Sequence, residues 1–306
     1  MKAIMYHYVR QANPSLAHFR YLDVANFERQ LDYFKSEYGF VKREEWEGFF
    51  SGQSEQMPKG VILTFDDAMS CHFDYVYPIL KERGLWGIFY VPTAPYQSNA
   101  ILDVHRIHLL TGAITGAHLY DYLKDVVSED MIPFSKRKDF EQATYVTQTN
   151  YPGVSEFKRL LNYYVDEALK PDLITKVAKQ FDYTFPTDFY VSPENLNVMS
   201  QNGMIIGSHT QDHPVMSKLN EAEQRKQLVR SFDYLESICH LPHRTFCHPF
   251  GGFHSFDDNT VNLLDELNVL YSFNVWSRDI EHADLTKFRH ALPRYDCNEF
   301  PHGAAS

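Results

Sequence analysis

The chain has 306 residues, 44% of them hydrophobic and 23% charged, which is typical of a folded globular protein. Its formal net charge of -11 at pH 7 argues against nucleic acid or an anionic membrane as the main partner. No stretch approaches the roughly 18 uninterrupted apolar residues of a membrane span, and the N-terminus has no pattern of a signal peptide. We therefore expect a cytoplasmic protein whose four cysteines, which form no C-x-x-C pair, are reduced thiols.

Short runs with strand character alternate with helical patterns over much of the chain. In chain order, the clearest runs are 4–9, 61–65, 85–91, 204–207, 245–248 and 269–275. The strongest helical pattern follows the fourth run, where Asn220 is a good N-cap with Glu223 three residues later. This alternation predicts a parallel sheet, and its repetition favours a distorted (β/α) barrel over a doubly wound sheet.

Residues of roughly 96 to 190 break the alternation, because they are rich in helical patterns and contain no clear strand. The segment is too long for a plain loop and predicts an ordered helical insertion. We therefore expect one barrel domain, 1–306, with an insertion at about 96–190. Because the insertion follows a predicted strand ending at Val91, we expect it to cover the C-terminal ends of the strands.

Two adjacent carboxylates, Asp66 and Asp67, directly follow the strand-like run 61–65. Side by side in a half-buried place, two carboxylates repel each other, and one pKa rises unless a cation shares the site. The alternative is that one aspartate caps a following helix while the other points into water. This stretch alone leaves both interpretations open.

Two further patterns stand behind later strand-like runs. His209 and His213 are four residues apart, and with one aspartate they would form a two-histidine, one-carboxylate set that suits Zn²⁺, Fe²⁺ or a similar ion. Each histidine has a structural role as its alternative. The stretch 249–252, Pro-Phe-Gly-Gly, could present backbone N–H groups to an oxyanion, or could be an ordinary turn. All three patterns lie where barrel enzymes place their active sites.

Together these patterns resemble the motifs of the polysaccharide deacetylases of carbohydrate esterase family 4. The stretch 64–67, Thr-Phe-Asp-Asp, looks like the family's first motif, and 209–214 is similar to its second, His-Ser/Thr-x-x-His-Pro. The stretch 246–251 resembles the third motif, an aromatic strand ending in Pro-Tyr/Phe-Gly. The stretch 5–7, Met-Tyr-His, looks like the Tyr-His strand of members that deacetylate exopolysaccharides.

The resemblance implies a metal-dependent hydrolase on a (β/α) barrel. Asp66 would be the general base, and Asp67, His209 and His213 would bind the metal, with Zn²⁺ as the expected ion. The metal would offset the repulsion between the two carboxylates.

The resemblance also assigns supporting roles. The backbone N–H of Phe250 would hold the oxyanion, Thr210 would orient a neighbouring group or the substrate, and His7 would contact the substrate. Many family members tether the catalytic aspartate with an arginine in the third motif, where this chain has Cys247. Arg294 is the candidate replacement, and a surface ion pair is its alternative interpretation.

The family's Leu-x-Leu-His motif, which supplies the general acid, is absent, and its fourth motif is degenerate at 275–280. His290 and His248 are candidate acids. We favour His290, because strand alternation turns His248 to the side opposite Cys247. A proton supplied by water is the alternative.

The leading hypothesis is therefore a cytoplasmic enzyme that removes an acyl group, N-acetyl in the favoured case, from an amino sugar or glycan precursor. The substrate would be nucleotide-linked or lipid-linked, and we expect neither a nucleic-acid partner nor a membrane span. A hydrolase of another small amide or formamide is one alternative. A non-catalytic carbohydrate-binding protein on the same fold is the other.

Overall fold

The computed structural model describes residues 1–132 and 151–305. The described strands are β1 (Lys2–Tyr6), β2 (Val9–Arg10), β3 (Leu22–Asp23), β4 (Val61–Asp66), β5 (Ile88–Val91), β6 (Ile205–Ser208), β7 (Arg244–Cys247), β8 (Val269–Phe273) and β9 (Tyr295–Asp296). The described α-helices are α1 (Val24–Glu37), α2 (Arg43–Phe50), α3 (Tyr77–Glu82), α4 (Ala94–Ser98), α5 (Asp103–Ala113), α6 (Gly116–Val126), α7 (Val154–Arg159), α8 (Lys170–Gln180), α9 (Pro193–Gln201), α10 (Glu221–Ile238), α11 (Asp258–Glu266) and α12 (Asp284–Lys287).

Seven strands form one parallel sheet in the order β8-β7-β6-β5-β4-β1-β9, and β2 pairs with β3 in a small second sheet. Leu292 pairs with Phe273 at the end of β8, and Tyr295, shortly after it, pairs with Ile4 of β1. The segment 292–296 therefore links both sides of the curled sheet. The predicted distorted (β/α) barrel is confirmed.

Strand β4 shows how the barrel positions its side chains. All six of its residues are buried, and successive side chains point to opposite faces. Leu63 and Phe65 pack outward with the layer that contains α1 and α3, whereas Ile62 packs inward. By the same alternation Thr64 and Asp66 face the barrel interior, which places a carboxylate at the C-terminal mouth of the barrel.

Two compact units can be distinguished, and the sheet belongs to the first, which comprises 1–11, 21–100 and 188–306. The second comprises 12–20 and 101–187, and α5 to α8 pack around their own apolar core. The stretch 12–20 was not expected in this unit. Gly112 of α5 allows this stretch to pack closely against the helix, since a Cβ at position 112 would lie 2.4 Å from the Phe19 ring.

The sequence predicted a helical insertion at about 96–190, of which 133–150 lie outside the described residues. The assignment of a single domain, and the expectation that the insertion covers the strand ends, stay predictions. Among the described helices, none combines the length and the apolar character of a membrane span.

Candidate active site

Asp66 is held by Arg294 in a buried, bidentate ion pair. The two guanidinium Nη atoms donate to the two carboxylate oxygens at 2.9 and 2.8 Å, and the residues are 2% and 1% exposed. Arg294 also donates to Thr64 Oγ1 at 2.9 Å, and its Nη2 lies 2.9 Å from Cys247 Sγ. The surface ion pair considered for Arg294 is therefore wrong. Cys247 is small enough to leave room for this guanidinium inside the barrel.

The ion pair sets the charge state of Asp66. Burial by itself would raise the pKa of this carboxyl, but the charge and hydrogen bonds of Arg294 outweigh it and hold the pKa at about 2. Burial raises the pKa of the Cys247 thiol well above its usual value. Asp66 is thus ionised at neutral pH, and Cys247 is a neutral thiol.

Asp67 turns away from β4 and faces the two histidines. Its φ is 79°, so the chain leaves the strand abruptly after Asp66. Asp67 Oδ1 lies 3.6 Å from His209 Nε2 and 3.4 Å from His213 Nε2. Asp67 is 3% exposed, so the interpretation in which one aspartate points into water is wrong.

These three residues fit a divalent metal by the chemistry of their donor atoms. One ligand atom from each lies within 4.8 Å of the others, a spacing that a single ion can bridge. The Cys247 carbonyl, 2.8 Å from His209 Nδ1, can accept the proton of that nitrogen, which leaves the Nε2 lone pair facing Asp67. Burial lowers the pKa of His209, which favours the neutral imidazole that a metal requires.

The turn that carries His213 is held by Thr210 and by a residue of α10. The Thr210 hydroxyl accepts the His213 backbone N–H at 3.0 Å. Gln227 Oε1 accepts the backbone N–H groups of Gln211 and Asp212 at 3.1 and 2.8 Å. Gln227 was missed by the sequence analysis, since it is one of several polar residues on that helix. The role of Thr210, which is to orient a neighbouring group or the substrate, stays a prediction.

The backbone is strained where the motifs leave their strands. Among the described residues, nine non-glycine residues have positive φ, and five of them are Asp67, Ala68, Thr210, His213 and Phe250. Such conformations cost of order 1–3 kcal/mol each and persist where the surrounding structure enforces them. Their concentration in three sequence-distant turns is independent support for a functional site.

Phe250 lies directly beside the candidate metal ligands. Its ring centroid is 4.9 Å from that of His213, and its φ of 65° turns the chain at the end of β7. The role of its backbone N–H as an oxyanion donor stays a prediction.

His7 lies at the open side of the site, with its side chain 39% exposed and its Nε2 4.0 Å from Asp67 Oδ2. A second histidine, which the sequence analysis missed, fixes its backbone: His72 Nε2 lies 2.6 Å from the His7 carbonyl oxygen. Burial lowers the pKa of His72 to about 4, so the ring is neutral and donates this hydrogen bond.

The two histidines proposed as general acid have other neighbours. His290 Nε2 lies 3.0 Å from Asp265 of α11, and its Nδ1 lies 3.3 Å from Ser272. His248 stacks on Phe256 with ring centroids 3.8 Å apart, and its Nε2 contacts the His290 carbonyl. Within 1–132 and 151–305, neither ring has a hydrogen bond or ion pair to Asp66, Asp67, His209 or His213. The structure gives the assignment of His290 no support.

A family model described as polysaccharide deacetylase matches residues 53–272, well over half of the chain. No curated protein sequence matches the chain significantly.

Solved structures with a similar fold include two whose titles name a deacetylase or a de-N-acetylase, and a third, IcaB, whose title names no activity. The Streptococcus pyogenes deacetylase PplD in complex with acetate is 17% identical, with a TM-score of 0.59 over 97% of this chain and 91% of that one. The de-N-acetylase from Aggregatibacter actinomycetemcomitans is 15% identical, with a TM-score of 0.54 over 96% and 93%. IcaB from Ammonifex degensii is 17% identical, with a TM-score of 0.51 over 89% and 82%. At these identities the likeness establishes the fold.

Proposed function

The chain belongs to the polysaccharide deacetylase family, and on that premise we propose that it is a metal-dependent hydrolase that removes the N-acetyl group from an amino sugar of a glycan. One observation carries the proposal: the buried Asp66–Arg294 pair lies directly beside a cluster of one carboxylate and two imidazoles that suits a divalent metal. A cytoplasmic location and a nucleotide or lipid carrier for the glycan remain proposals from the sequence.

Asp67, His209 and His213 would hold the ion, with Zn²⁺ preferred for a set of two nitrogen donors and one oxygen donor. When bound, such a cation acidifies water and polarises the acyl carbonyl. Asp66 needs an acidic proton donor, because a carboxylate with a pKa of about 2 is a weak base.

Asp66 takes the proton from the attacking water, and Arg294 keeps the carboxylate in one orientation through both of its oxygens. The partners of Arg294 include the Thr64 hydroxyl and the Asn274 carbonyl, so the guanidinium itself is fixed. The backbone N–H of Phe250, three residues after β7, would stabilise the developing oxyanion.

His7 is the proposed donor of a proton to the leaving amine, in place of His290 and His248. Its imidazole is near Asp67 and open to solvent, so a substrate can reach it. The buried His72 holds the backbone of His7 and thereby limits the positions of the imidazole.

The test is acetate release from N-acetylglucosamine oligosaccharides by the purified protein loaded with Zn²⁺, with the Asp66→Asn variant as the matched control. We expect release by the wild-type protein and a loss of about 10²-fold or more in the variant. Equal rates for the two proteins, or no release under metal-loaded conditions, would contradict the proposal.

A further inference from the structure

Three aromatic residues from separate loops form a contiguous surface, which we call the aromatic patch: Phe253, Trp276 and Phe288. The ring centroids of Phe253 and Trp276 are 5.2 Å apart, those of Trp276 and Phe288 are 5.4 Å apart, and those of Phe253 and Phe288 are 6.5 Å apart. Phe253 is 48% exposed and Phe288 is 36% exposed. Across 1–132 and 151–305, six large hydrophobic residues are this exposed, and these two form the only pair in ring contact.

The central ring of the aromatic patch, Trp276, is held in place by a neighbouring ion pair. The guanidinium carbon of Arg278 lies 3.6 Å from the Trp276 ring centroid, and both of its Nη atoms donate to Asp284 at 2.8 and 2.6 Å. Trp276 is thereby fixed between the cation and the two phenylalanine rings. A surface that is already ordered loses little conformational entropy when a ligand covers it.

The patch is continuous with the candidate active site through two loops. Phe253 follows Phe250 by three residues, at most about 11 Å of extended chain. Gly251 lies against Val275, since a Cβ there would be 2.2 Å from a Val275 methyl carbon, so the two loops are in direct contact. On the other side, the Trp276 backbone N–H donates to the Arg294 carbonyl at 3.2 Å. The loops that carry Phe253 and Trp276 therefore also adjoin the oxyanion residue and the residue that holds Asp66.

We propose that the aromatic patch is a carbohydrate subsite that binds sugar residues flanking the one whose acyl group is removed. Pyranose rings present C–H faces that pack on aromatic rings while their hydroxyls stay in water. The inference rests on the proposed function and narrows it, since the substrate is then an oligosaccharide or polymer rather than a single amino sugar. The formal net charge of -11 disfavours an anionic membrane as the occupant.

The test is calorimetric titration with N-acetylglucosamine pentasaccharides of β-1,4 and β-1,6 linkage. It uses the Asp66→Asn protein, so that turnover is not needed. We expect Phe253→Ala and Phe288→Ala to raise the Kd of the pentasaccharide that binds by about tenfold. Phe253→Tyr should retain binding, and Phe253→Leu should not, because leucine keeps the apolar volume and lacks a flat face.

Tyr38→Ala is the matched control. Tyr38 is 39% exposed, and its ring lies 5.1 Å from Lys2 Nζ at the start of β1, the opposite end of the barrel from Asp66. Thermal unfolding of each variant checks that the fold is retained.

The outcomes separate this inference from the proposed function. Acetate release from the N-acetylglucosamine monosaccharide by the active protein should be the same in the patch variants, because the monosaccharide does not reach the patch. Failure of both pentasaccharides to bind, or an equal Kd in the protein with the intact patch and in the patch variants, would overturn the subsite even if deacetylation is observed. Binding to lipid vesicles, or a dimer, that disappears in Phe253→Ala would likewise overturn it.

Discussion

Asp66 and Asp67 are neighbours in the chain, yet they belong to two halves of the site that are built by different means. The base half, Asp66 with Arg294, lies inside the barrel on backbone without positive φ, with Asp66 at the end of β4 and Arg294 just before β9, and its charges cancel within the protein. The metal half, Asp67 with His209 and His213, lies on turns with positive φ at Asp67 and His213.

The difference lies in where the counter-charge comes from. Burial keeps His209 neutral, so the protein supplies no full positive charge to Asp67 from this ligand. One carboxylate is balanced by an arginine, and the other belongs to the set of donor atoms proposed to hold a cation. Adjacent carboxylates can then share a buried place and perform different tasks.

The largest effect is expected from the removal of a proposed metal ligand. His213→Ala should reduce the content of divalent metal from about one ion per chain to near zero and reduce deacetylation to background. Elemental analysis and acetate release measure the two effects. Asp212→Asn, an exposed change in the same turn, is the control, and equal metal content in His213→Ala and the control would refute the ligand assignment.

Removing the base should leave the metal half intact. Asp66→Asn should retain the metal and lower kcat by about 10²–10⁴-fold, because proton transfer from water is lost. Near wild-type kcat in a variant with full metal content would show that another group accepts the proton.

The base half should also be the half that matters for folding. Arg294→Met leaves a buried carboxylate without its counter-ion and should lower the free energy of unfolding by about 3–5 kcal/mol. The double variant Asp66→Asn with Arg294→Met removes both charges and should recover a large part of that loss. Denaturant unfolding of the single and double variants decides, and equal stability of the two would contradict the buried ion pair.

A smaller effect on metal binding is expected from a change in the turn that carries His213. Thr210→Ala removes the hydroxyl that accepts the His213 N–H and should weaken metal affinity about 10–100-fold. Thr210→Ser retains the hydroxyl and should restore the affinity. Competition with a metal chelator measures both.

As the pH falls, we expect the protein to lose its metal before it loses the stabilisation from the Asp66–Arg294 ion pair. Burial lowers the pKa of His209 below 6.5, so metal release requires a pH below this value. The pKa of Asp66 falls from 3.8 to about 2, so the stabilisation from its ion pair is fully present above pH 3.8 and is lost as the pH falls towards 2. Metal content and near-ultraviolet circular dichroism, both measured against pH, should show a folded, metal-free protein at a pH below 6.5 and above 3.8. Simultaneous loss of metal and fold would contradict the separation.

The sequence was sufficient to predict the candidate site residues that lie in short motifs next to a strand end. The two aspartates, the two histidines and the Pro-Phe-Gly-Gly turn each stand within a few residues of a strand end, and parallel strands bring these ends to one mouth. Arg294 was reached only through the family resemblance, because Cys247 stands where many members have the arginine that tethers the catalytic aspartate. Its distance from Asp66, 228 residues, left no local signal.

The residues that support the site through hydrogen bonds could not be predicted from local sequence motifs. Gln227 and His72 act through side-chain hydrogen bonds to backbone groups that are distant in the sequence, and such bonds have no periodicity in the sequence. His290 was favoured because alternation disfavours His248, and that argument does not say where the His290 ring lies. Leu292 packs into the barrel core and Arg294 binds Asp66 there, but residues around 288–291 form a turn, which directs the His290 ring to Asp265 on α11.

The separation of 228 residues between Asp66 and Arg294 also has a consequence during protein synthesis. At about 5–20 residues per second, a ribosome takes roughly 10–50 s between the two. All three proposed metal ligands have been polymerised once residue 213 is added, whereas the barrel interior can close over Asp66 at low cost only after Arg294 arrives. We therefore expect a nascent chain that acquires its metal-binding turns first and its oriented base last, with closure of the sheet by residues 292–296 as the step that completes the site.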